Sequence, residues 1–175
     1  MMLHAIGRLG MDGGRYGAVE YAGSAVRALG MQERMTLANM TAELGGQTGL
    51  VAPDEVTRAW LAGVGVGDVD VAPWHTDAGA PLGEHHRFDA STLAPQVAAP
   101  HSPANADDAE RYGRRRIDIA YIGACTGAKL DDLRMAARVM KGRRAARGVR
   151  LMVAPASLKD QEAARAEGTL QTLLD

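Results

Sequence analysis

The chain has 175 residues, with 46% apolar and 23% charged side chains, which suits one large or two small globular domains. Its formal net charge of −1 argues against a nucleic-acid partner or a membrane-surface role, and no apolar run reaches the length of a membrane span. A single cysteine excludes an intrachain disulfide and makes the cytoplasm the expected compartment; an aromatic content of only 4% requires cores built from Ala, Val, Leu and Met.

Residues 2–9 read as a short helical or mixed segment ending at the turn cluster of Gly10, Gly13 and Gly14. Ala18 to Tyr21 alternates as a short strand, and Ser24 to Leu29 carries a helical stripe through Ala25, Val26 and Leu29. A helix is expected over Glu33 to Leu44, stopped by Gly45 and Gly46, with small interior residues that allow close packing against it. Leu50 to Ala52 follows as a short buried strand, and Pro53-Asp54-Glu55 starts a further helix reaching Leu61.

Residues 62–87 form an irregular connector. Gly63, Gly65 and Gly67 lack both the spacing and the strand–turn–helix frame of a phosphate loop. His75, Asp77, His85 and His86 cluster in sequence, but no regular element presets them for a metal, so they read as solvated loop residues. Pro95, Pro100 and Pro103 mark a junction near 90–105.

Beyond the junction the pattern is strand, helix, strand, helix, as in parallel βαβ units. Ile117 to Gly123 and Val149 to Val153 are the buried strands. The first helix presents Leu130, Leu133, Ala137 and Met140 on one face, has Asp131 and Asp132 in its first turn, and stops at Gly142. The second spans Lys159 to about Glu167.

Cys125 lies where the first of these strands passes into its helix, at the carboxyl end of the sheet, the ligand-binding position in open α/β folds. A thiol there offers metal ligation or nucleophilic attack. A buried structural cysteine is the plainer reading, and a nucleophile would want a partner such as His101; spacing alone leaves these open.

Several ordered motifs carry a family resemblance. Tyr121-Ile-Gly-Ala-Cys125-Thr126, with Leu130-Asp-Asp-Leu-Arg134 and the Lys141-Gly142 stop, resembles the first cluster-cysteine motif of the aconitase superfamily. Arg34 to Gly45 with Gly49 to Glu55 is similar to its Asn-Met-x-x-Glu segment, here Asn39 to Glu43. Gln96-Val97, Pro100 to Asn105 and Val153 to Ser157 resemble the 3-isopropylmalate dehydratase branch, whose large subunit this chain would match as an internal fragment.

The resemblance implies an α/β fold of the aconitase-like three-layer α/β/α kind, with parts of two domains and mostly parallel sheets. Residues 1–93 would be the central part of one domain, and 94–175 the start of a cluster-bearing domain that lacks its C-terminal part. It implies a [4Fe–4S] cluster in the intact enzyme, with Cys125 as its first ligand, the other ligands outside the chain, and no cluster in this chain alone. Asn39 and Glu43 would be catalytic, bonding the iron-bound hydroxyl or water; i, i+4 spacing puts both on one helix face. The implied reaction dehydrates and rehydrates a hydroxy di- or tricarboxylic acid, foremost 2-isopropylmalate in leucine biosynthesis, with this piece inactive by itself. The implied partners are a hydroxy-acid substrate and a small subunit or swivelling domain carrying a serine base. The alternatives are a stand-alone binding or scaffold protein on the same fold, and a homoaconitase or methylmalate dehydratase relative. Gly127-Ala128-Lys129 departs from the usual Asn-Gly-Arg or Asn-Ser-Arg, and Ala124 from the common Ser, which bears on the substrate.

Overall fold

The computed structural model describes residues 1–113 and 115–175. It is an α/β protein of two compact units dividing at Gly113. No helix of the described residues is long and apolar enough to cross a membrane.

The first unit begins with helix α1 (Met2–Leu9), which buries Met2 and Ile6 on one face. Strand β1 (Ala18–Glu20) pairs in parallel with β2 (Thr48–Leu50), Val19 opposite Gly49. Between them run the short α2 (Ser24–Arg27) and α3 (Met31–Asn39). Val26, Leu37 and Leu44 join Met2 and Ile6 in one core, with Val19, Tyr21 and Leu29 packed on it. Helix α4 (Glu55–Gly63) starts at Asp54, whose carboxylate accepts from the backbone N–H groups of Val56 and Thr57.

Small residues allow the close approach that α3 invites. A Cβ on Gly49 would lie 2.8 Å from the Ala38 Cα and collide with Thr41 Oγ1, so strand β2 can rest on the end of α3 only through glycine. Strand β2 precedes the expected Leu50–Ala52 position by two residues for this reason: Gly49, with no side chain, is the part that packs inward, while Leu50 is half exposed.

The connector that follows has little regular structure beyond short 3₁₀ turns at Ala72–Trp74 and Ala90–Thr92. Within the first unit Thr76 Oγ1 donates to the Glu20 carboxylate, Arg15 pairs with Glu84 at 2.6 Å, and Phe88 meets the His4 ring edge-on. The proline-marked stretch is an antiparallel hairpin of β3 (Gln96–Ala98) and β4 (Ala106–Asp108). The hairpin packs on α1, with Gly7 against Ala106 and the Ser102 hydroxyl donating to Met11 Sδ at 3.0 Å. The prolines therefore shape a turn inside the first compact unit, which extends to Gly113.

The second unit is built on parallel strands β5 (Ile119–Ile122) and β6 (Arg150–Val153). Helix α5 (Leu130–Met140) links them, and α6 (Leu158–Ala166) with the unanticipated α7 (Thr169–Leu174) completes the unit. Leu133, Ala137, Ala164 and Leu173 form its core against Ile122 and Val153. The sequence reads both as buried strands, over Ile117 to Gly123 and Val149 to Val153. Instead the paired Ala120–Leu151 and Ile122–Val153 turn inward, while Ile119, Tyr121 and Met152 are about half exposed on the other face. The sheet thus has one helical layer, whereas parallel strands ordinarily carry helices on both faces.

Candidate functional site

Two clusters follow from this framework, one in each unit. In the first, regular α3 ends at Asn39 instead of continuing to Leu44. The chain then tightens: Thr41 N–H donates to Ala38 O and Ala42 N–H to Asn39 O, both i to i+3. It closes at Gly45 (φ +83°), with Gly45 N–H donating to Ala42 O and Gly46 N–H to Thr41 O, the paired bonds of a Schellman stop. The glycine stop stands where expected, but the last turn before it is over-wound. Asn39 is thus the last residue of regular α3, and Glu43 lies in the turn beyond it. Asn39 is exposed, while Glu43 is half-buried and its Oε2 atom is fully buried with no hydrogen-bond partner among the described residues.

Thr41, between the two, is the residue that sequence reasoning missed. It is buried, donates to Leu37 O at 3.2 Å and hydrogen-bonds the Tyr21 hydroxyl at 2.7 Å. Burial pushes the Tyr21 phenol upward from its ordinary pKa. One polar contact therefore pins the Asn39–Glu43 turn to the segment after β1. Arg34 does the same at the other end of α3. Its guanidinium is buried, bonds both Asp54 oxygens at 2.7 and 2.8 Å, and donates to Leu29 O and Arg27 O. These bonds hold the Asp54 carboxyl below the usual carboxylate range. No periodicity betrays either residue; the only signal is a charged or polar residue at an inward helical position.

In the second unit Cys125 is an exposed free thiol on the loop that leaves β5. The loop is held by its neighbours at the same end of the sheet. Ala154 N–H donates to Ile122 O and Ala156 N–H to Ala128 O, each at 2.9 Å. Asp160 accepts from the Leu130 N–H at 3.0 Å and so caps α5 from α6, while Lys129 Nζ donates to Thr126 O. The Val153–Ser157 stretch and the Cys125 motif, distant in sequence, are thus adjacent strand ends. Ala128 holds a left-handed backbone (φ +61°) and is buried, a conformation that glycine adopts without strain.

The remaining candidates are surface groups. His101 is exposed on the β3–β4 turn. His75, Asp77, His85 and His86 are exposed; His86 meets Glu84 at 2.8 Å and His75 its own Ala72 O. Among the described residues no group of three or more His, Cys, Asp or Glu side chains is placed to hold a metal. Tested against a [4Fe–4S] cluster, the donor set fits one corner only. Cys125 offers one accessible sulfur ligand, and the described residues do not complete a cluster-holding set.

Comparison with known proteins agrees with these motifs. The model of the aconitase family (aconitate hydratase) matches residues 1–110 and 104–175. The 3-isopropylmalate dehydratase large subunit of Moorella thermoacetica is 39% identical over all 175 residues, which are 41% of that protein. That of Nitratidesulfovibrio vulgaris is 40% identical over the same span and share. A probable 3-isopropylmalate dehydratase large subunit of Methanosarcina mazei is 39% identical over 157 residues, 90% of this chain and 37% of its own. The chain spans about two-fifths of the length of the curated relatives it matches.

Proposed function

The chain belongs to the aconitase family, and from that footing we propose that it supplies one stretch of a hydro-lyase acting on 2-isopropylmalate and 3-isopropylmalate. Its two units would be pieces of two domains of that enzyme, which works with a small subunit. The observation that carries the reading is the buried, unpartnered Glu43 Oε2 in the turn that follows the exposed Asn39 at the end of α3. A carboxylate oxygen removed from water without a donor costs free energy, which a donor from a bound ligand would offset.

In this reading Cys125 is one ligand of a [4Fe–4S] cluster, which in this chemistry acts as a Lewis acid on a hydroxyl group. Glu43 accepts a hydrogen bond from the substrate hydroxyl or the water replacing it, and Asn39 fixes the orientation of that group. Thr41 and Arg34 keep the turn in place, so they act through position and touch no substrate. By itself the chain holds one cluster ligand and does not catalyse the reaction.

The test replaces the matching stretch of the Moorella thermoacetica large subunit by residues 1–175 and assays it with that enzyme's small subunit. Interconversion of the two isopropylmalates is expected. Glu43→Gln and Asn39→Ala should each lower kcat about a hundredfold or more, the usual loss when a group that stabilises developing charge is removed. An active chimera whose kcat is unchanged by Glu43→Gln would contradict the role given to this turn.

A further inference from the structure

The whole-chain charge of −1 hides a strong division. Residues 1–113 hold seven Lys and Arg against fourteen Asp and Glu, and residues 114–175 hold thirteen against seven, so the balances are −7 and +6. In the second unit the excess gathers at the amino end of the sheet, the end away from Cys125. Arg150 pairs with Ile119 at the start of the ladder, and its N–H donates to Asp118 O. A depression of about 290 Å³ beside it is lined by Arg115, Arg116, Ile117, Arg147, Gly148 and Val149. Arg143 and Arg144 lie on the turn that leaves α5, where Arg143 N–H donates to Met140 O. All these arginines are exposed. Arg116 meets Asp118 only loosely, at 3.9 Å with both side chains in solvent. Among the described residues Arg143, Arg144 and Arg147 have no carboxylate within ion-pair distance.

The connector of the first unit has the complementary character. Asp68, Asp70 and Asp77 are exposed and, among the described residues, face no cation. Trp74, between them, is 74% exposed and Leu82 is 64% exposed. Acid with exposed aromatic and aliphatic groups is what an arginine edge bearing the exposed Ile117 is built to meet, by forked hydrogen bonds and by stacking of guanidinium on indole.

We propose that the arginine edge of the second unit is the docking surface for the acidic connector of a second copy of this chain. Each copy carries both surfaces, so two copies of one chain supply both sides of the contact.

Sedimentation equilibrium on the full chain tests this between about 10 mM and about 1 M salt, over which the Debye length falls from about 30 to about 3 Å. A dimer is expected at low salt, weakened at least roughly tenfold at high salt. Two charge-reversed chains extend the test: Arg143→Glu with Arg144→Glu and Arg147→Glu, and Asp68→Lys with Asp77→Lys. Each should be monomeric alone with an unchanged circular dichroism spectrum, and their equimolar mixture should form a heterodimer, because reversed edge then meets reversed connector. A monomer at every salt concentration, a dimer indifferent to salt, or a mixture that stays monomeric overturns the proposal.

Discussion

Each unit contains an arginine bonded to a carboxylate through two nitrogens, and the two pairs differ mainly in burial. In the first, Arg34 reaches Asp54 at 2.7 and 2.8 Å with its own side chain only 3% exposed. In the second, Arg134 reaches Glu167 at 2.6 and 2.9 Å, with 46% and 32% of the two side chains exposed. Geometry alone would rank them equal. The buried guanidinium, however, has no water to fall back on, and it also satisfies the carbonyls of Arg27 and Leu29. It therefore joins α2, α3 and α4 in a way the exposed pair cannot imitate for α5 and α6.

The largest effect should follow from Asp54→Ala, which strands the Arg34 charge and removes the α4 cap. We expect a loss of about 3 kcal/mol in the urea unfolding of the first unit. Glu167→Ala should move the transition of the second unit by no more than about 1 kcal/mol. Equal shifts would break the comparison.

Packing should give the next effect. Gly49→Ala forces a methyl group against Ala38 and Thr41, with an expected cost of about 2 kcal/mol, read from the same transition. The contrasting change in the second unit is Ala128→Gly, which relieves a left-handed alanine. It should stabilise by about 1 kcal/mol, seen as a higher thermal midpoint.

Acid should separate the two pairs last and least. Arg34 lowers the Asp54 pKa, and Arg134 with Thr169 lowers that of Glu167 to about 2. A depressed folded pKa stabilises fully above the unfolded value, near 4, and that stabilisation is lost as pH falls through the folded value. Both pairs thus favour the fold above about pH 4 and weaken below it. Added salt should erase the Glu167 contribution, which faces solvent, and leave that of Asp54 visible in acid titrations followed by circular dichroism.

Much of the fold is legible where one face of an element is decisively apolar. The βαβα order, the Gly45 stop and the helix from Leu130 all follow from spacing and turn chemistry. What escaped depends on tertiary contact. The hairpin at 96–108 is read as a linker because its prolines outweigh two three-residue strands, and α7 lies under a glycine that looks like an ending. The turn at Asn39–Glu43 over-winds because Thr41 is drawn to Tyr21 and Gly49, partners that no local pattern reveals. Cys125 reads as a candidate ligand only through its motif, since its position at a strand end suits several chemistries.

Anaerobic iron–sulfur reconstitution of the chain beside its Cys125→Ser variant tests most directly the proposal that this chain carries one corner of a cluster site. Equal, near-background iron and sulfide in both, with the fold intact, is the result predicted. A full [4Fe–4S] complement in the chain, lost in Cys125→Ser, would contradict it and show that a complete ligand set assembles without any other protein.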